Sequence, residues 1–180
     1  MLKGAILMKK ALLLVTVLLL IASPVMAKEG FYLGAFYPAE TISGDAGSTT
    51  SSSSGGGWGV RIGEGLNRYF SIEGRYSDTT HDSDHLRGLA GDLKLNFPLT
   101  SLDSAQVMTL EPYIMGGYAH YESSEVGTPK SDGFQYGIGI ELYLFRELSI
   151  QAGWTDSKVK FQGLTGDVKT VDFGFIYHFI

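Results

Sequence analysis

The feature that most constrains the fold of this chain is the alternation in its last eight residues, FGFIYHFI. Phe173, Phe175, Tyr177 and Phe179 occupy every second position of this segment. Alternate residues of a β-strand point to one face of the sheet, so the segment predicts a strand with one wholly aromatic face. The ends of soluble domains are usually polar and fray. The aromatic face therefore packs into a core or contacts a medium other than water.

The N-terminal segment predicts export from the cytoplasm. A pair of lysines precedes the almost wholly aliphatic residues 11–22, and small residues precede an expected cleavage after Ala27. This order is typical of a secretory signal peptide. The apolar run of about a dozen residues is short for a membrane helix, which needs about 20. We therefore expect residues 1–27 to be the signal peptide and residues 28–180 to be the mature domain.

The composition of the mature domain excludes several classes of protein. Three of the 14 Lys and Arg residues precede Lys28, which leaves 11 against 19 Asp and Glu and a formal charge of −8. Such an acidic balance argues against a nucleic-acid binder. The chain has no cysteine, so neither disulfides nor a lipid-modified cysteine can stabilise or anchor it.

Eight segments of about ten residues alternate with period two in the mature domain, and turn-rich stretches separate them. One face of each segment is apolar or aromatic. The other face is rich in glycine and carries charges of both signs in mid-strand. Only the fifth segment, EPYIMGGYAHY, leaves its register open, because both of its faces are apolar or small. Small residues with a few paired charges suit the interior of a narrow barrel whose apolar face points outward into lipid.

The even number of short, alternating strands predicts an all-β fold, an eight-stranded antiparallel up-and-down transmembrane β-barrel. Closure of the sheet satisfies every backbone group in hydrocarbon and removes the sheet edges. Periodicity alone leaves open a soluble barrel of the lipocalin type, which has its apolar face inside. The signal peptide and the aromatic C-terminal strand favour the membrane barrel.

Six charged residues fall on the predicted inner face. A barrel of eight strands has room for its own side chains or for one small ligand, and a buried charge needs a partner. We therefore predict an ion-pair network that fills the lumen; a polar conduit for ions or small solutes is the alternative. The predicted network consists of Arg61, Glu73, Arg75, Asp92, Lys94 and Glu141.

Two polar clusters are candidates for catalysis or metal binding. In HYESSE, His120 and Ser124 are four residues apart, too far in an extended chain for a base to reach its nucleophile. A lipid A-modifying enzyme is thus the weaker alternative, and we expect no catalytic residue. The stretch DTTHDSDH offers possible ligands for a divalent cation, but its spacing fits no known loop. We expect a solvated surface loop there and neither metal nor cofactor.

An even strand count places both termini on one side of the membrane, which we expect to be the periplasm. The connections at residues 65–68 and 145–147 are short, whereas the link from Phe97 to Leu110 is unusually long for that side. The predicted outward loops are residues 38–57, 78–85, 122–133 and 156–167.

The chain resembles the small eight-stranded outer-membrane barrels of the OmpA/OmpX-like superfamily. The segments GFYLGAFY, LNRYFSIEGRYSD, LEPYIMGGYAHY, FQYGIGIELYLFRELSIQAGW and VDFGFIYHF carry the resemblance, which covers essentially the whole mature domain. It implies location in the cell outer membrane, contact with outer-membrane lipid and lipopolysaccharide, and a monomer without cofactor. The implied role is structural or surface-interactive, with the loops as the contact surface for a possible extracellular ligand.

The resemblance also implies a role for the C-terminal aromatics. In this family the barrel-assembly machinery recognises an alternating terminal strand that ends in an aromatic residue. Phe173, Phe175, Tyr177 and Phe179 would then face lipid and form the assembly signal. The chain departs from the family pattern in one respect, because Ile180 follows Phe179.

Overall fold

The computed structural model describes residues 30–46, 49–81, 84–99, 109–123, 130–161 and 164–179. The predicted signal peptide, residues 1–27, lies outside the described residues. Within the described residues, helices of the length and apolar character that a membrane crossing requires are not found.

Eight antiparallel strands form one closed barrel, which confirms the predicted fold class. Each strand pairs with the next in the chain, and the last closes on the first. The strands are β1 (Gly30–Ala46), β2 (Thr49–Gly65), β3 (Phe70–His81), β4 (Asp84–Asn96), β5 (Thr109–Ser123), β6 (Ser131–Tyr143), β7 (Leu148–Phe161) and β8 (Leu164–His178).

The two ends of the barrel differ. Gly30, His178 and the short turns at residues 66–69 and 144–147 lie together at one end, called here the termini end. The opposite end, called the loop end, carries the connections between β1 and β2, β3 and β4, β5 and β6, and β7 and β8.

The outer wall of the barrel carries the apolar side chains. Leu33, Ile72, Leu93 and Ile138 are each about half exposed in the isolated barrel, and the polar side chains that alternate with this apolar band point inward. Aromatic side chains border this apolar band at both ends, the arrangement that membrane barrels use at the two interfaces. The border at the loop end includes Tyr37, Trp58, Tyr76, Tyr118, Phe134, Tyr136 and Trp154, and the border at the termini end includes Phe31, Tyr69, Phe97, Phe145, Tyr177 and Phe179.

The strands run further toward the loop end than the sequence predicts, so the predicted loop at residues 38–57 is wrong. β1 and β2 pair continuously from Ala39 with Gly56 to Ala46 with Thr49, and the Ser/Gly-rich run lies mostly in β2. Glycine is required here because a Cβ atom at Gly57 would lie 2.0 Å from the carbonyl oxygen of Asp78 on β3. The same extension shortens the predicted loops at 78–85 and 156–167 to the few residues between paired strands.

The register of β5, which the sequence leaves open, is set by its neighbours in the barrel. Tyr113, Met115 and Tyr121 are buried in the lumen, whereas Ile114 and Tyr118 are exposed on the outer wall. Glu111 also points inward. Glu111 is the acidic residue of β5 near the termini end, and this register keeps its side chain away from lipid.

Candidate functional site

The centre of the lumen holds six charged side chains from β2, β3, β4 and β8. Three are cationic and three are anionic, so the set is formally neutral. Each of them is at most 8% exposed. We call this set the central cluster; it consists of Arg61, Arg75, Lys94, Glu73, Asp92 and Asp172.

Each cation of the central cluster has a carboxylate within ion-pair distance. The Arg61 Nη2 atom lies 2.6 Å from Asp172 Oδ1. Arg75 Nε donates to Asp92 Oδ2 at 3.0 Å, and Lys94 Nζ donates to Glu73 Oε2 at 3.2 Å. Because an unpaired charge in such a place costs several kcal/mol, these contacts explain how the sequence tolerates six charges in mid-strand.

Longer contacts join the three pairs into one network. Arg61 Nη1 lies 3.7 Å from Glu73 Oε1, and Arg75 Nη1 lies 3.7 Å from Asp172 Oδ2. Every anion of the network except Asp92 is therefore close to at least two cations, and removing one partner disturbs more than one pair.

Neutral side chains fill the space around the charges. The Tyr32 hydroxyl donates to Glu73 Oε2 at 2.9 Å, and Gln135 Nε2 donates to Asp92 Oδ1 at 2.5 Å. The Lys94 ammonium lies 4.3 Å from the centre of the Tyr113 ring, within cation–π range. Inward glycines leave room for these side chains, since a Cβ atom at Gly139 would lie 2.3 Å from the Tyr113 hydroxyl oxygen.

The structure brings five of the six residues of the predicted network together in the central cluster: Arg61, Glu73, Arg75, Asp92 and Lys94. It places Glu141 in a second group toward the termini end. Asp172 completes the central cluster and is absent from the predicted set. The sequence contained a signal for it, because Asp172 alternates with the outward aromatics of β8.

The group toward the termini end is built around Glu141. Its Oε1 atom accepts a hydrogen bond from the Ser149 hydroxyl at 2.7 Å and lies 3.0 Å from His178 Nε2. The His178 ring packs between two tyrosines, 5.5 Å from the Tyr32 ring and 5.1 Å from the Tyr143 ring, measured between centroids. Tyr32 thus contacts both this group and the central cluster.

A third polar group lies toward the loop end and is absent from the predicted network. Glu40 Oε2 accepts a hydrogen bond from Thr79 at 2.7 Å and lies 3.6 Å from His81 Nε2. The Thr170 hydroxyl donates to Glu40 Oε1 at 3.4 Å. Because residues 38–57 and 78–85 are predicted as loops, no pattern in the sequence places Glu40, Thr79 and His81 in the lumen.

An apolar cluster lies beside this third group inside the loop end of the barrel. Between it and the central cluster is a cavity of about 20 Å³ that Glu40, Arg75 and Gln135 help to line. Such a volume holds about one water molecule. The apolar cluster consists of Leu86, Ala119, Tyr121, Val159 and Val168.

The cluster DTTHDSDH is divided by the barrel wall. His81 points into the lumen, whereas Asp78 and His85 face outward with 3.1 Å between Asp78 Oδ1 and His85 Nδ1. Among the described residues, no group of three or more His, Cys, Asp or Glu side chains could hold a metal ion. In the cluster HYESSE, His120 Nδ1 lies 2.6 Å from Asp132 Oδ1 on the outer surface, and Ser124 lies outside the described residues.

Three aromatics of β8, and Phe179 directly after it, all point away from the lumen. Phe173, Phe175, Tyr177 and Phe179 are between 50% and 53% exposed in the isolated barrel. Phe179 also contacts Phe31 of β1, with 5.6 Å between the ring centroids. The four side chains therefore lie on the apolar outer wall next to the β1–β8 seam.

Comparison with known proteins identifies a family and a fold. The family model described as "Outer membrane protein beta-barrel domain" matches residues 12–179. Among solved structures, Neisserial surface protein A aligns with a TM-score of 0.65 at 13% identity, over 86% of this chain and 100% of that one. Ail, the attachment invasion locus protein of Yersinia pestis, aligns with a TM-score of 0.51 at 14% identity, over 83% and 99%. At such identities the likeness shows the fold alone. No curated protein matches the chain significantly.

Proposed function

The chain belongs to the outer membrane protein beta-barrel domain family and is located in the outer membrane, and on this premise we propose a structural or surface-interaction role in which side chains close the lumen. The observation that carries the proposal is the neutral, buried central cluster. Its charges are engaged with one another, and polar groups lie on either side of it. With the lumen occupied, the surface that remains for contact is the loop end.

The β1–β2 hairpin is a large part of that surface, and the neighbouring β8 runs alongside it. β1 continues for nine residues beyond Tyr37, at the border of the apolar band, to Ala46. At about 3.3 Å per residue and a strand tilt of about 40°, the hairpin projects roughly 20 Å. We orient this end toward the cell exterior and the termini toward the periplasm. An extracellular ligand would bind at these strands, and lipopolysaccharide would surround their base.

The β8 aromatics support a second part of the proposal. Their side chains alternate on the outer wall at the end of the chain's last strand. This is the pattern on which the barrel-assembly machinery would act during biogenesis. The proposed role is non-catalytic and monomeric, and it requires no cofactor.

A narrow channel is the second candidate function. One observation favours it: Arg61 Nε, Arg61 Nη1 and Glu73 Oε1 are buried without a hydrogen-bond partner. Unsatisfied groups of this kind would gain from water, and water in the centre of the lumen would be the start of a conduit. For a lipid A-modifying enzyme, no observation on the described residues provides support.

The role of the projecting hairpin is tested by shortening it. Because Ile42 pairs with Ser53, replacing residues 43–52 by Asn-Gly leaves a two-residue turn that suits a hairpin. We expect the shortened protein to fold and to change gel mobility on heating, and a strain that carries it to lose adhesion to the same extent as the deletion strain. Envelope integrity and lipid A structure, measured on the same strains, should remain those of the parent.

Cysteine labelling of the full-length protein checks the orientation. Ser52→Cys should react with an impermeant maleimide on intact cells, and Arg146→Cys, in a turn at the termini end, only after permeabilisation. Reaction of Arg146→Cys on intact cells would invert the orientation. Suppose that deletion abolishes adhesion but the strain with the shortened hairpin adheres like the parent. The surface role would then belong to the rest of the barrel and not to the hairpin.

A further inference from the structure

A patch of mixed charge lies on the outer wall at the loop-end edge of the apolar band. Asp156 of β7 is at its centre and is the cross-strand partner of Tyr136 on β6 and Lys169 on β8. Two residues nearer the loop end, Lys158 is the cross-strand partner of Asp167. Since residues two apart on a strand share a face, these five side chains form one surface, called here the outer-rim patch.

One oxygen of the Asp156 carboxylate lacks a hydrogen-bond donor. The residue is only 7% exposed although it is on the outward face of its strand. Its Oδ2 atom accepts a hydrogen bond from the Tyr136 hydroxyl at 3.2 Å, whereas its Oδ1 atom is buried with no hydrogen-bond partner. Leaving a buried carboxylate oxygen unsatisfied is costly, so a ligand that brings an N–H donor would gain there.

The two lysines of the patch are available to an anion. Lys158 and Lys169 are diagonal neighbours on adjacent strands, a relation that places their backbones about 7–8 Å apart. Both are exposed, and neither makes an ion pair with a carboxylate of the described residues. Two other outward cations at the loop end are paired, Arg87 with Asp78 at 3.5 Å and Lys130 with Glu122 at 3.1 Å. The patch therefore offers two unpaired cations beside one unsatisfied carboxylate oxygen.

The position of the patch fits a lipid headgroup. Directly below it, Ile138, Trp154 and Val171 form the next row of cross-strand partners, and Ile138 and Val171 belong to the apolar band. The Trp154 ring lies 6.1 Å from the Tyr136 ring. Aromatic residues of membrane barrels lie at the interface between hydrocarbon and headgroups, so the patch is at headgroup depth with an apolar surface for acyl chains beneath it.

We propose that the outer-rim patch binds the zwitterionic phosphoethanolamine headgroup of a membrane lipid. Lys158 and Lys169 hold the phosphate by charge-assisted hydrogen bonds. The primary ammonium donates to Asp156 Oδ1, and its other N–H groups reach toward Asp167. The choline headgroup has no N–H to donate, and the glycerol headgroup brings no positive charge to the carboxylate. This inference is independent of whether the lumen conducts.

Native mass spectrometry of the folded barrel tests the proposal. The barrel is equilibrated with equal amounts of phosphatidylethanolamine, phosphatidylcholine and phosphatidylglycerol that carry the same acyl chains. The number of molecules of each lipid that remain bound is then counted. We expect about tenfold more retained phosphatidylethanolamine than either competitor, as one charge-assisted hydrogen bond would give. Asp156→Asn should abolish the preference, and Lys158→Gln with Lys169→Gln should lower retention of phosphatidylethanolamine about tenfold. Arg87→Gln, a change at an outward cation that already has a partner, should leave both results unchanged.

A second comparison identifies the source of the headgroup. Lipid A with and without a phosphoethanolamine substituent is offered to the same variants. Preference for phosphatidylethanolamine alone assigns a phospholipid, and preference for the substituted lipid A alone assigns the glycolipid. Equal retention of all lipids by the unchanged protein, or a preference that survives Asp156→Asn in a barrel that still shows heat-dependent mobility, would overturn the proposal.

Discussion

Glu73→Ala is expected to lower the free energy of unfolding by about 3–5 kcal/mol. Glu73 is 1% exposed and is the anion that lies nearest to Lys94, at 3.2 Å, and within 3.7 Å of Arg61. Its removal leaves three cations, Arg61, Arg75 and Lys94, against Asp172 and Asp92 in a lumen with little room for water. The loss should appear as a lower temperature for the mobility change on a gel and a lower denaturant midpoint in lipid vesicles.

The matched control is Glu122→Ala, which removes the same side chain from an exposed site at the loop end. Glu122 is half exposed and pairs with Lys130 at 3.1 Å, and such surface pairs contribute about 0–1 kcal/mol. Glu73→Gln combined with Lys94→Met removes one charge of each sign and keeps the central cluster neutral. The double variant should therefore recover part of the stability that Glu73→Ala loses. Equal effects of Glu73→Ala and Glu122→Ala would mean that water solvates the lumen and that the cluster does not close it.

Leu93→Arg is expected to destabilise the barrel by about 2–4 kcal/mol, the cost of an arginine on the lipid face at the bilayer midplane. Leu93 is on the outer wall of β4, midway between Leu89 and Phe97, and is 52% exposed in the isolated barrel. Its cross-strand partner Ile72 is also apolar and outward. Unfolding in vesicles measures the change directly.

Leu99→Arg provides the control for the lipid face. Leu99 follows β4 at the termini end and is 52% exposed, so the substitution and the exposed fraction are the same and only the depth differs. Near the interface an arginine costs about 0–1 kcal/mol. A soluble barrel with a wet outer wall would tolerate both substitutions equally, and that result would contradict the membrane assignment.

The fold follows from the sequence because one physical rule acts on the whole chain. A closed barrel in lipid needs alternate residues of opposite character, and the pattern of β3, with Ile72 outward and Glu73 inward, can be read without knowledge of the neighbouring strands. The same rule identified five members of the central cluster. It fails at β5, where both faces are apolar or small and only pairing with β4 and β6 decides the register.

The rest of the lumen could not be predicted because it depends on how far the strands continue. Serine and glycine in residues 48–57 indicate a loop by composition, yet pairing with β1 holds residues 49–56 in a strand. That extension places Glu40 and His81 inside the barrel, where a local pattern has no information about them. The pairing of Arg61 with Asp172 joins residues 111 apart in the chain. A local sequence pattern cannot indicate which residues that far apart will contact each other.

The central claim, that the buried cluster closes the lumen, is tested most directly by single-channel recording of the folded protein in a planar bilayer. The account predicts a flat baseline for the unchanged protein and stepwise openings for Glu73→Ala, because the orphaned cations draw water into the lumen. A steady, ion-selective conductance of the unchanged protein would contradict the account and would make the polar conduit its function.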